Sequence, residues 1–218
     1  CKLVRKEDKD ESSKAVYSIN TVEGIFELEI LTSINKQMRF VDIEAQLKSL
    51  KSVYIQDFVV RIKVKKDNIK NVEIKGLKIQ HNNSQKYYQY KTDEVNILSK
   101  ENVELKIKRL NEEKIPNAEN QMYVRDLNEY WIIHSRLFPS KKAERYNLRW
   151  ITNYFWISLG SKISKMIFNI PFVGKALWYR KERLGKKALE IQLVGLIKII
   201  KNTKIKQKVR IEYNGASN

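Results

Sequence analysis

The sequence predicts a mainly β protein: an antiparallel β-sandwich-like domain that carries an α-helical insertion or lobe. Three observations predict it. Apolar and polar residues alternate through most of the first 110 positions. The alternation returns over 188–213. Between them, over 122–186, the two-residue period is lost and apolar residues recur near helical spacing. Many short alternating runs with polar turns favour packed antiparallel sheets.

The first predicted strand, 22–31, sets Phe26, Leu28 and Ile30 on one face and Glu27 and Glu29 on the other. The second, 39–47, sets Val41, Ile43, Ala45 and Leu47 against Asp42, Glu44 and Gln46. The third, 53–64, points Phe58, Val60, Ile62 and Val64 inward and Arg61 and Lys63 outward. Val72 and Ile74 continue the pattern. After Gly76 the apolar phase reverses to Leu77 and Ile79, which predicts a bulge there. A turn is expected at 81–84, one or two short strands over 88–98, and a strand through Val103, Leu105 and Ile107. Near the end, Ile205, Val209, Ile211 and Tyr213 share one parity, interrupted by Gln207.

In the middle block Asp126 is placed to cap a helix with Glu129 at its third position. Leu148, Ile151, Phe155 and Leu159 form a helical stripe that Ile163, Met166 and Ile167 extend until Pro171. A short basic helix is expected over 175–184, ended by Gly185. The resulting organisation is a flexible tether over 1–20, a β domain built from 21–110 and 187–214, and a mostly helical, basic and aromatic-rich insertion over 111–186.

The 218 residues are 42% hydrophobic and 31% charged, a composition that folds. No run of about eighteen apolar residues occurs, so no transmembrane helix is expected. The formal charge is +18. Residues 1–120 hold 23 basic and 19 acidic side chains, and residues 121–218 hold 20 and 6. A field that lopsided favours an anionic partner, although a lysine-rich composition alone would also raise it.

The single cysteine is Cys1, so neither an intrachain disulfide nor a thiolate metal cluster can form. A lone Cys followed by the polar stretch KLVRKEDKDESSK resembles the mature end of a bacterial lipoprotein. The resemblance implies lipid attachment at Cys1, a tethering spacer and residence in the cell envelope, with the outer membrane or cell surface permitted.

Catalytic and metal chemistry finds little support. His81 and His134 lie far apart, without carboxylate or thiolate neighbours at ligand spacing. His134 reads as a partly buried, hydrogen-bonded side chain. The segment around Ser135 contains no nucleophile elbow, and GSKISK at Gly160 lacks phosphate-loop glycine spacing. Asp126 and Glu129 read as salt-bridge partners of Arg125 or Arg136. No cofactor, metal or catalytic residue is expected.

All four tryptophans, Trp131, Trp150, Trp156 and Trp178, fall in the middle block. Two uncharged runs, ITNYFWISLG and IFNIPFVG, are flanked by basic residues. Three arrangements account for this: a core with a solvated basic rim, a surface resting on anionic lipid, or an aromatic protein-binding surface. The candidate partner-binding set is Arg149, Lys162, Lys165, Lys175, Trp178, Arg180, Lys181 and Arg183. The expected function is that of a non-enzymatic, membrane-tethered envelope lipoprotein, a structural or binding component of an assembly whose basic lobe meets an acidic protein or anionic lipid. The rival expectation is an intracellular nucleic-acid-binding protein. Its support is the charge, QKYYQYK and KNTKIKQKVR. No zinc-finger, helix-turn-helix or ribonucleoprotein-type motif accompanies these segments.

Overall fold

The computed structural model describes residues 1–21, 24–79, 88–110, 114–140, 142–150, 155–171 and 191–215. The alternating first block forms β1 (Lys2–Lys9), β2 (Ser12–Asn20), β3 (Ile25–Asn35), β4 (Phe40–Ser49), β5 (Val53–Ile55) and β6 (Phe58–Lys65). It continues with β7 (Ile69–Ile74), β8 (Leu77–Ile79), β9 (Tyr88–Thr92), β10 (Glu94–Ser99) and β11 (Glu104–Arg109). The later half supplies β12 (Ala118–Asp126), β13 (Tyr130–Pro139), β14 (Arg145–Trp150), β15 (Phe155–Gly160), helix α1 (Ser161–Asn169), β16 (Ile191–Ile199) and β17 (Lys204–Asn214).

Pairing is antiparallel throughout and builds three sheets. The largest has nine strands in the order β1-β2-β3-β4-β17-β11-β10-β7-β8. The other two have four strands each, β6-β13-β12-β9 and β15-β14-β16-β5. Strand β17 enters the middle of the large sheet, between β4 and β11. The chain's last strand therefore closes the first block. Its neighbour β16 pairs with β5 and β14.

Two apolar cores result. In the first, Val72, Val95, Ile97, Ile107 and Val209 of the large sheet meet Met122, Val124, Trp131 and Ile133 of the β6–β13–β12–β9 sheet. Val60 and Ile62 are half-buried against it. In the second, Phe26, Leu47 and Ile205 meet Val53, Ile197 and Ile199, with Leu137 from β13. Burying such side chains is worth about 1.5–3 kcal/mol each, which offsets the ordering of the strands.

Gln207 stands between the two cores on β17 and is fully buried. The Ser135 hydroxyl donates to its Oε1 at 3.1 Å, and its Nε2 donates to Asn120 Oδ1 at 3.0 Å. The break in apolar parity noted in the sequence is thus a polar bolt between the nine-stranded sheet and the β12–β13 hairpin.

The expected helical insertion is not present. Most of its described residues are strand: β12, β13, β14 and β15 occupy 118–126, 130–139, 145–150 and 155–160. The cause of the misreading is burial. Every residue from Trp131 to Pro139 is buried, so both faces of β13 are covered and a two-residue period has no polar phase to show. Asp126 caps no helix. It ends β12, where its carboxylate pairs with Lys66. Helix α1 is the one α-helix among the described residues, and it coincides with the predicted stripe at Ile163, Met166 and Ile167. The basic helix expected over 175–184 lies outside the described residues.

Two further expectations are corrected. The tether over 1–20 is instead strand: β1 pairs with β2 and β2 with β3 at one edge of the large sheet. Its residues read as a spacer because all eight of β1 are exposed and charged side chains guard that edge. The phase reversal at Gly76 is not a bulge but a two-residue hairpin. Ile74 pairs with Leu77, and Lys75 and Gly76 both take positive φ, 53° and 76°, as a type I′ turn requires.

Replacing Gln207 with Leu keeps the volume but removes the partner of the Ser135 hydroxyl. The expected loss is about 2 kcal/mol, read as a lower urea midpoint with unchanged slope.

Candidate functional site

The predicted partner-binding residues divide by where they fall. Arg149 lies in β14, opposite Trp156 of β15 and Gln192 of β16. Lys162 and Lys165 lie on α1, and Lys162 is exposed. Lys175, Trp178, Arg180, Lys181 and Arg183 lie outside the described residues. Cys1 is an exposed free thiol at the start of β1.

What the structure adds is an apolar face on α1. Ile163 is 54% exposed, Met166 71% and Ile170, just past the helix end, 49%. Met166 is the most exposed large apolar side chain among those described. Positions 163, 166 and 170 stack on one side of a helix, so the exposure is a stripe rather than scatter. Lys162 flanks it. From 145 through 181 the sequence holds seven basic residues and no acidic one. The spacing of Ile163 and Met166 was legible in the sequence. Their solvation was not, because the same spacing serves a buried helix.

Several charges elsewhere are paired. On the solvent face of the large sheet Arg210 grips Asp42 through Nε and Nη2 at 2.7 and 3.0 Å, and Lys208 approaches Asp42 at 3.2 Å. Lys14–Glu29, Lys108–Glu212 and Lys106–Glu94 pair at 2.9, 2.8 and 3.2 Å. Hydrogen bonds from Arg210 hold the Asp42 carboxyl below the usual carboxylate range. The solvent-exposed pairs among these contribute under about 1 kcal/mol each.

A second group of cations surrounds His134. Strand pairing places Arg61, His134, Tyr123 and Lys91 in one cross-strand row over β6, β13, β12 and β9. Arg125 and Arg136 lie two residues along on the same face. His134 is 2% exposed and stacks on Tyr123, with ring centroids 4.6 Å apart. Arg136 lies over the Tyr123 and Phe138 rings at 4.6 and 4.3 Å and donates from Nη2 to Gln121 Oε1 at 3.2 Å. Burial drives the His134 pKa down to about 3, and Arg125, Arg61 and Arg136 push the same way. Burial raises the nearby Asp57 carboxyl, while Arg136 and Arg61 pull it back down. The sequence reading of His134 as a hydrogen-bonded histidine is corrected: its Nε2 is buried with no hydrogen-bond partner among the described residues. Sequence reasoning missed Arg61, Arg125 and Arg136 as its neighbours because the row exists only once three strands are in register.

Among the described residues no group of three or more His, Cys, Asp or Glu is placed to hold a metal, and no helix is long and apolar enough to cross a membrane. No protein-family model and no curated protein matches the chain. A solved structure, the crystal structure of Slr1438 protein from Synechocystis sp. PCC 6803, is similar at 7% identity with a TM-score of 0.44. That similarity covers 98% of this chain but only 65% of that one, and it carries neither fold nor function across.

The depressed His134 pKa predicts a pH effect. The folded state resists protonation that the unfolded chain accepts near 6.5. His134 therefore costs no stability above that pH and progressively more as pH falls from 6.5 toward about 3. His134→Gln removes this titration. The stability lost between pH 7 and pH 5, read from urea midpoints, is expected to be smaller in the variant than in the parent.

Proposed function

We propose that this chain is a binding component of a cell-envelope assembly that rests helix α1 on an anionic lipid surface. The observation that carries the reading is the exposed Ile163, Met166 and Ile170 stripe, set in a segment with seven basic residues and no acidic one. A short helix with an apolar stripe and flanking lysines lies in the headgroup region, its apolar side down. Partial insertion of three such side chains contributes about 1 kcal/mol each. Lys162 and Lys165 near an anionic surface add about 1 kcal/mol each. A total of about 5 kcal/mol corresponds to reversible, sub-millimolar attachment, too weak to hold the protein alone. Acylation of Cys1 belongs to the same proposal, because a second anchor converts a weak contact into a stable one. The acidic patch of a protein would satisfy the charge but has no need of three solvated apolar side chains in line.

Vesicle sedimentation tests the lipid contact. Binding to vesicles containing phosphatidylglycerol is expected to exceed binding to phosphatidylcholine vesicles and to fall as salt rises. The double substitution Ile163→Asp/Met166→Asp is expected to reduce it at least tenfold with an unchanged melting temperature, since both side chains are exposed. Equal binding by parent and variant at low salt would refute the reading. Intact-mass measurement of the native protein tests the anchor, with added acyl mass expected on Cys1 and lost in Cys1→Ser.

A further inference from the structure

We propose that one end of the protein, where Ile25, Leu50 and Ile200 project from neighbouring chain connections, inserts shallowly into an anionic lipid surface, so that the nine-stranded sheet meets the bilayer end-on. The inference rests on the lipid reading of α1 and adds a second contact to it. Strand register gathers the three residues. Ile25 opens β3, Leu50 follows β4, and Ile200 lies between β16 and β17. Phe26 pairs with Ser49, and Lys48 with Lys204, so the start of β3, the end of β4 and the start of β17 are level.

The connections are bonded to one another. Leu50 N donates to Ile25 O at 3.0 Å, and Asn202 N donates to Ser49 O at 2.7 Å. Lys201 N donates to Ser52 Oγ at 3.1 Å. Asn202 takes a positive φ of 64° in a turn that Thr203 N closes on Ile200 O at 3.0 Å. Gly24 approaches β5 so closely that a Cβ would stand 2.8 Å from Val53 Cγ1. These apolar side chains are therefore held out by fixed backbone. Ile25 and Leu50 are each 38% exposed and Ile200 60%, while their neighbours Phe26, Ser49 and Ile199 are buried. Lys51 and Lys201 stand beside them, exposed, and among the described residues neither enters an ion pair. The cross-strand row behind them, Glu27, Lys48 and Lys204, holds two cations to one acid.

Two placements select lipid as the occupant. Lys2 pairs with Ser18 near the end of β2, and Asn20 pairs with Ile25, so Cys1 leaves the edge strand at this same end. Strands β15 and β16 both pair antiparallel to β14 and so run the same way. Their exits are α1 and the Ile200 turn. The proposed acyl site, the helix with the apolar stripe and the Ile25, Leu50 and Ile200 cluster thus share one end of the molecule. A bilayer meets separated points of this kind together, with apolar side chains below the headgroups and lysines among them. A protein partner would need matching relief at each point.

The test uses full-length chains carrying Cys1→Ser and one added cysteine, labelled with a polarity-sensitive fluorophore. Leu50→Cys and Ile200→Cys report on the cluster, Met166→Cys on α1, and Met38→Cys on the β3–β4 hairpin at the opposite end, where the side chain is also exposed. With phosphatidylglycerol vesicles, blue-shifted emission and quenching by spin-labelled lipid are expected at positions 50 and 200 and not at 38. In the unlabelled chain, Lys51→Glu/Lys201→Glu is expected to weaken vesicle binding at least tenfold with an unchanged melting temperature. A response at 166 with silence at 50 and 200 would overturn this inference and leave α1 as the contact. A response at 50 and 200 without one at 166 would support it and remove α1. Silence at all positions would overturn both, and an equal response at 38 would overturn the end-on arrangement.

Discussion

The buried hydrogen bonds of Gln207 are the constraint on which the rest of the architecture depends. Like β13, through Ile133 and Leu137, strand β17 contributes to both cores, Val209 to the first and Ile205 to the second. Between them the side chain must be satisfied or it destabilises the whole interface, because a low-dielectric interior penalises an unpaired amide. Ser135 and Asn120 satisfy it from β13 and β12. A slip of β17 by one residue would turn Gln207 to solvent and bring charged neighbours Lys206 or Lys208 inward. Apolar packing alone would tolerate more than one register, and the amide tolerates one.

From that anchoring follows the sorting of charge. With β17 seated between β4 and β11, Arg210 faces Asp42 and Lys108, and Lys208 faces Glu44. The large sheet therefore pairs several of its cations with its own acids. In the β6–β13–β12–β9 sheet Arg61, Arg125 and Arg136 gather around His134. The α1 segment has no acid at all from 145 through 181. The remaining cations differ in setting. The cations around His134 enclose a buried, desolvated point, whereas α1 presents an open apolar stripe with basic neighbours.

The legibility of the strands tracked how many of their faces meet water. β4 and β11 show their alternation because one side is solvated and the other packed. β13 is covered on both sides, so its run from Trp131 to Pro139 has no periodic signal and read as part of a helical lobe. β1 fails in the opposite way: it is exposed on both sides, so its pairing with β2 left no apolar trace and it read as a spacer. Gly76 carried real information, since the phase does reverse there, but a two-residue hairpin and a one-residue bulge produce nearly the same pattern in one dimension.

By itself the sequence determined that the chain is mainly antiparallel β, that its last strand belongs with its first block, and that its positive charge is concentrated after residue 120. Each of these is a local property, of alternation or composition, that survives in one dimension. The tertiary structure alone decided that β17 lies between β4 and β11, that Gln207 meets Ser135 and Asn120, that His134 sits among three arginines, and that the stripe on α1 faces outward. Those facts join residues as many as 168 positions apart, as Arg210 and Asp42 are, and depend on strand register and on which face another sheet covers. Neither is encoded in any short window, because both are set by the mutual packing of three sheets.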